Sequence, residues 1–131
     1  MISRRIFIAS TAVAAGALVA DIGAEAAQTA FAAPRFDEAL KAGKSILVEI
    51  HATWCPTCKA QTAILGPLLK DPKFADLLEL RVDFDAQKDI VRKFGATMQS
   101  TLIVFKDGAE VGRSVGDTNR ASIAALLARA V

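Results

Sequence analysis

Cysteine is scarce in this chain of 131 residues: there are two, Cys55 and Cys58. Two cysteines three positions apart cannot form a structural disulfide scaffold, which needs more of them at wider spacing, and they exclude a four-cysteine zinc site. Proline is limited to Pro34, Pro56, Pro67 and Pro72, and histidine to His51. Neither sign of charge is in excess. The net charge is +2, and basic residues alternate with acids from Asp83 to Lys93, as on a solvated surface rather than a nucleic-acid-binding face. No internal repeat is present. Long apolar runs are missing too: the uncharged stretch Ile6 to Ala20 falls short of the roughly 20 residues a membrane-spanning helix needs, so an integral membrane protein is not predicted. The length allows one domain and a leader.

The leader sets the compartment. Arg4 and Arg5 form a basic start, the uncharged stretch follows, and small-x-small cleavage signals occur at Ala24-Glu25-Ala26 and Ala30-Phe31-Ala32. The second signal lies directly before the first helical pattern. Residues 1–32 are therefore assigned as a signal peptide and 33–131 as the mature domain. Ser3-Arg4-Arg5-Ile6-Phe7-Ile8 resembles the bacterial twin-arginine export signal; an ordinary secretory signal is the plainer alternative. Both place the protein in the periplasm.

The remainder alternates helical and strand patterns, which predicts an α/β domain. Helices are expected at Phe36 to Ala42, from the cysteines to about Lys70, at Gln87 to Phe94, and from Thr118 or Asn119 onward. Strands are expected at Ser45 to His51, Leu78 to Phe84, Thr101 to Phe105 and Glu110 to Val115, the last two joined by the hairpin signal Asp107-Gly108.

Cys55-Pro56-Thr57-Cys58 stands where an apolar strand gives way to a helix. Backbone N–H groups at a helix start favour a thiolate, the form that attacks disulfides. A spacing of three puts Cys58 one turn away on the same side, where it can resolve a mixed disulfide at Cys55. Pro56 is tolerated in a first turn. A Cys-x-x-Cys alone also fits a buried thiol pair or half of a metal site. Trp54, the preceding strand and the exported context favour a redox dithiol.

Over nearly the whole mature chain the sequence resembles the thioredoxin superfamily. The likeness rests on Leu47 to Lys59, on Val82-Asp83-Phe84-Asp85, Phe94-Gly95, Thr101 to Gly108 and Val115-Gly116. It implies a central mixed sheet flanked by helices and a thiol:disulfide oxidoreductase. It further implies Cys55 as an exposed nucleophile, Cys58 as resolving cysteine, a buried acid at Glu49 and a basic partner at Arg81. A carboxyl under the disulfide can take the proton from Cys58; burial raises its pKa while Arg81 lowers it. The alternative for Glu49 is a structural salt bridge with Arg81. No cofactor is implied beyond the redox-active Cys55–Cys58 disulfide. The run Ala52 to Cys58 is most similar to the exported reductants of cytochrome c maturation. Asp71-Pro72-Lys73-Phe74 is more similar to the C-terminal domain of transmembrane thiol:disulfide interchange proteins. Both are reducing and draw electrons through a membrane partner, which implies protein disulfides as substrates and a transmembrane thiol reductase as donor.

Three features depart from the family. Its cis-proline facing the active site is replaced by Ser100, after Gln99, and a cis peptide before serine costs roughly 2.5–4 kcal/mol. The bond is therefore either a strained cis peptide or trans with a re-shaped loop. His51 stands where the family has an aromatic residue, and it either tunes the site near neutral pH or simply packs at the strand end. The first strand is absent or vestigial. Gln99, Ser100 and Gly116, with Trp54, Pro56 and Thr57, are expected to form the groove for a partner peptide. Two rivals remain: a metal-binding or metal-delivery module using Cys55, Cys58 and His51, and a thioredoxin-like binding module, which would not need to keep both cysteines.

Overall fold

The computed structural model describes residues 29–131, so most of the expected leader lies outside the described residues. The β-branched run Ile46–His51 forms strand β1, whose first five residues are buried. It lies between a parallel neighbour, β2 (Leu78–Asp83), and an antiparallel one, β3 (Thr101–Lys106), and β4 (Ala109–Val115) closes the order β2-β1-β3-β4. Helix α1 (Ala33–Lys41) precedes β1. It begins three residues before the expected Phe36 because Pro34 is accommodated in its first turn. Parallel strands require a crossover, supplied by α2 (Pro56–Leu69) and a short 3-10 turn at Pro72–Phe74. Helix α3 (Lys88–Lys93) leads to β3, and α4 (Arg120–Ala128) ends the chain's regular structure. The side chain of Asn119 caps α4 by accepting from the Ser122 N–H at 3.0 Å. The β3–β4 turn places Asp107 and Gly108 at φ 53° and 81°, the left-handed pair a two-residue hairpin requires.

Alternation along the strands separates two cores. Leu47, Leu102 and Val104 face α2 and α4, joining Leu65, Leu68, Ile123 and Leu127. Ile46, Val48, Ile50, Leu80, Val82 and Ile103 face the other side, where the Phe36 ring meets Phe94 and Phe105 edge to face, each at 5.2 Å. Glu49, Glu79 and Arg81 share the α2 side, because Glu49 pairs with Arg81 and Leu47 with Glu79 in the β1–β2 register.

Among the described residues the first strand amounts to one parallel bridge, Ala30 to Arg81, with the Phe31 N–H donating to the Arg81 carbonyl at 2.8 Å. Phe31 is a core residue: it is 6% exposed and its ring meets Phe36 and Phe94, each at 5.6 Å. A domain beginning at residue 33 would lack it.

Candidate active site

Helix α2 opens at the dithiol because Cys55 is its N-cap. The Cys55 backbone is extended (φ −87°, ψ 115°), Pro56 occupies the first turn, and Cys55 Sγ accepts the Cys58 N–H at 3.1 Å. Both cysteines are present as thiols. Burial pushes the Cys55 thiol up, but donors from Cys58, the Thr57 N–H and the Gln99 side chain outweigh it and hold the pKa below the ordinary value. Cys58 goes the other way, raised by burial and by the neighbouring Cys55 sulfur. One sulfur is thus prepared to attack and the other to keep its proton until a mixed disulfide forms.

The implied exposure of Cys55 is corrected by the structure: the residue is 2% exposed. Cys55 packs with Ala52, Cys58 and Phe84. Trp54 carries the exposure instead, at 57%. Its indole Nε1–H donates to Asp85 at 2.7 Å and its ring meets Phe84 edge to face at 6.5 Å.

Glu49 is 4% exposed. Burial, with the Glu79 carboxyl beside it, pushes its pKa up to about 8, against the opposing pull of Arg81. Arg81 Nε lies 3.4 Å from Glu49 Oε2, and Arg81 Nη2 donates to Thr62 Oγ1 at 3.3 Å. Thr62 Oγ1 donates in turn to the Cys58 carbonyl at 3.0 Å. Among the described residues no hydrogen bond joins Glu49 to either sulfur, so a proton passing between them needs a bridging water. The salt bridge with Arg81 is compatible with a proton-accepting role for Glu49. Glu79 was missed from sequence because it read as one of β2's outward polar positions, although its place two residues before Arg81 put it on the same face.

The Gln99–Ser100 bond is trans, as are all peptide bonds of the described residues, and Ser100 has φ +60°. The loop is re-shaped rather than cis. The Ser100 N–H donates to the Ile50 carbonyl at 2.7 Å, and the Ser100 carbonyl accepts the Gly116 N–H at 2.9 Å. Gly116 itself has φ +69°. Ser100, next to Gln99 in the chain, is thereby joined to Gly116. Gln61 was not foreseen. It is 4% exposed and donates from Nε2 to the Ser100 and Asp117 carbonyls at 3.0 and 2.9 Å. The readable signal was its position, three residues after Cys58 on the same buried helical face as Leu65 and Leu68.

His51 is not brought to the cysteines as a third ligand. It lines a cleft of about 340 Å³ with Thr53, Arg81, Asp83 and Gln87. Burial and Arg81 lower its pKa, with Asp83 opposing, so it carries little charge at neutral pH. Among the described residues no group of three or more His, Cys, Asp or Glu side chains could hold a metal ion. The side chain of His51 shares its cleft with Arg81, a cation that disfavours a metal ion there.

A capping thiol beside a second thiol one turn along the same helix suits dithiol–disulfide exchange. The comparisons agree. Residues 27–129 match the Thioredoxin family. Thioredoxin from Chlamydia muridarum is 38% identical over 84 residues, 64% of this chain and 80% of that one. Thioredoxin-1 from Saccharomyces cerevisiae is 33% identical over 98 residues, 75% and 93% of the two chains. The crystal structure of Trxlp from Edwardsiella tarda superposes with a TM-score of 0.72 at 38% identity, covering 74% of this chain and 94% of that one. This chain belongs to the thioredoxin family, and it is a thiol:disulfide oxidoreductase.

Proposed function

We propose that the protein is exported and reduces protein disulfides in the periplasm, re-reduced by a transmembrane thiol reductase. The observation that carries the exchange chemistry is the opposed pair of sulfurs at the α2 N-terminus, Cys55 stabilised as thiolate and Cys58 held as thiol. The Cys55 thiolate attacks a substrate disulfide, forming a mixed disulfide and releasing one substrate thiolate. Glu49, when ionised, accepts the Cys58 proton through water. The Cys58 thiolate then attacks Cys55, expels the second substrate thiolate and leaves the Cys55–Cys58 disulfide. Export is supported by Arg4-Arg5 and the uncharged run behind them, and the reducing direction by the likeness of Ala52 to Cys58 to exported reductants. Among the described residues no helix is long and apolar enough to cross a membrane.

The test is fractionation with alkylation of thiols in intact cells. The protein is expected in the periplasmic fraction with Cys55 and Cys58 mostly reduced, turning oxidised when the membrane donor is deleted. A cytoplasmic location overturns export, and a mostly oxidised pair with the donor intact overturns the reducing direction.

Of the two cleavage signals, the earlier fits the packing of Phe31 better. Cleavage after Ala26 retains Phe31 and the Ala30 bridge, and cleavage after Ala32 deletes both. Removing a buried phenylalanine typically costs about 3–5 kcal/mol. A chain starting at Ala27 should therefore exceed one starting at Ala33 by about 3 kcal/mol in urea unfolding, and mass spectrometry of the exported protein should find Ala27 first. Equal stabilities, or Ala33 as the mature start, would favour the later site.

A further inference from the structure

Ser100 occupies the left-handed region at φ +60°, where a residue with a Cβ is strained and persists only when its surroundings over-determine it. Its ties come from three directions. The N–H is held by Ile50 of β1, the carbonyl by Gly116 after β4, and the Oγ donates to the Gln99 carbonyl at 2.5 Å. The remaining tie is Gln61, which alone among these partners comes from the helix that carries the dithiol.

Gln61 has two Nε2 hydrogens and both are spent, one on the Ser100 carbonyl and one on the Asp117 carbonyl. A single buried amide one turn beyond Cys58 thus pins both loops of the groove to α2. Asp117 also fixes the second loop locally, its Oδ1 accepting from the Asn119 N–H and the Ser122 hydroxyl, each at 2.9 Å. No other buried polar side chain projects from α2: the buried residues of that helix are Cys58, Gln61, Leu65 and Leu68. An amide here is costly unless fully paired, and its pairing is spent on the loops rather than on the helix itself.

We propose that Gln61 is a positioning residue for substrate recognition, setting the distance of the Ser100 and Gly116 loops from the Cys55 sulfur. The inference rests on the exchange reaction at Cys55 but not on compartment or direction. A bulky protein disulfide reads the loops as it docks, whereas a small disulfide needs only the sulfur.

In Gln61→Met the volume is kept and both donors are lost. The kcat/KM for insulin divided by that for hydroxyethyl disulfide should fall about tenfold, equivalent to about 1.4 kcal/mol and carried by KM. Gln61→Glu should show the same fall at neutral pH and regain part of it in acid, where the carboxylic acid recovers one donor. In the wild-type protein both Gln61 side-chain amide hydrogens should exchange with solvent far more slowly than those of an exposed glutamine. That measurement needs neither a folded variant nor turnover. If wild-type protein fails to reduce hydroxyethyl disulfide, the exchange reading fails, independently of the amide result. An unchanged ratio in both variants, or amide exchange at the exposed rate, overturns the role of Gln61.

Discussion

Replacing Cys55 by serine should abolish insulin reduction, with a loss of at least about a thousandfold, while the fold persists. Serine keeps the helix cap, because its hydroxyl can accept the Cys58 N–H that Cys55 Sγ accepts at 3.1 Å. The melting temperature should therefore change little. What disappears is the only group positioned as a thiolate, and an alcohol of ordinary pKa does not replace it as nucleophile. Initial-rate turbidity with insulin, beside a thermal melt, separates the two effects. Alkylation of the wild-type dithiol should show the same asymmetry: Cys55, with its lowered pKa, reacts faster at neutral pH than Cys58, whose pKa is raised. A variant that kept substantial turnover would move the nucleophile elsewhere.

Glu49→Gln should have the second-largest effect, and it has opposite signs for stability and turnover. The carboxyl titrates at an ordinary value of 4.5 in the unfolded chain and at about 8 in the folded one. Between these values the folded state binds more protons than the unfolded state, so wild-type stability falls as pH rises through that window. Above about pH 8 a buried, imperfectly compensated charge remains. Glutamine removes the titration and keeps an oxygen for Arg81. The variant should be more stable than wild type at pH 9 by a few kcal/mol, with the advantage vanishing below about pH 5. Chemical unfolding across that range measures it. Turnover should drop by about a hundredfold, the usual contribution of a positioned proton acceptor, with mixed disulfide accumulating because the second step is slowed. A stability difference independent of pH would show that Glu49 does not titrate across this window.

The features legible in sequence were those set by local pattern. The run Ile46–His51 reads as a buried central strand because its residues are branched and apolar. Asp107-Gly108 reads as a hairpin because both positions adopt positive φ. Cys55-Pro56-Thr57-Cys58 reads as a helix start because proline and a capping side chain belong there. Contacts between distant segments were less accessible. Glu79 approaches Glu49 only through the β1–β2 register, and Gln61 finds its partners more than thirty residues away. Ser100 announced a departure from the family, but whether it would be cis or left-handed depends on Ile50, Gly116 and Gln61 together. Phe31 is ambiguous in sequence because alanine-flanked phenylalanine resembles a cleavage signal as readily as a core residue. Its burial against Phe36 and Phe94 is a tertiary fact.

The proposed division of labour is that Cys55 attacks and Cys58 resolves. It is tested most directly by incubating reduced Cys58→Ser protein with insulin and mapping the resulting adduct by mass spectrometry after non-reducing digestion. A stable mixed disulfide linked through Cys55 is expected, and none from Cys55→Ser under the same conditions. An adduct that forms equally through Cys58, or no adduct from either variant, would contradict it.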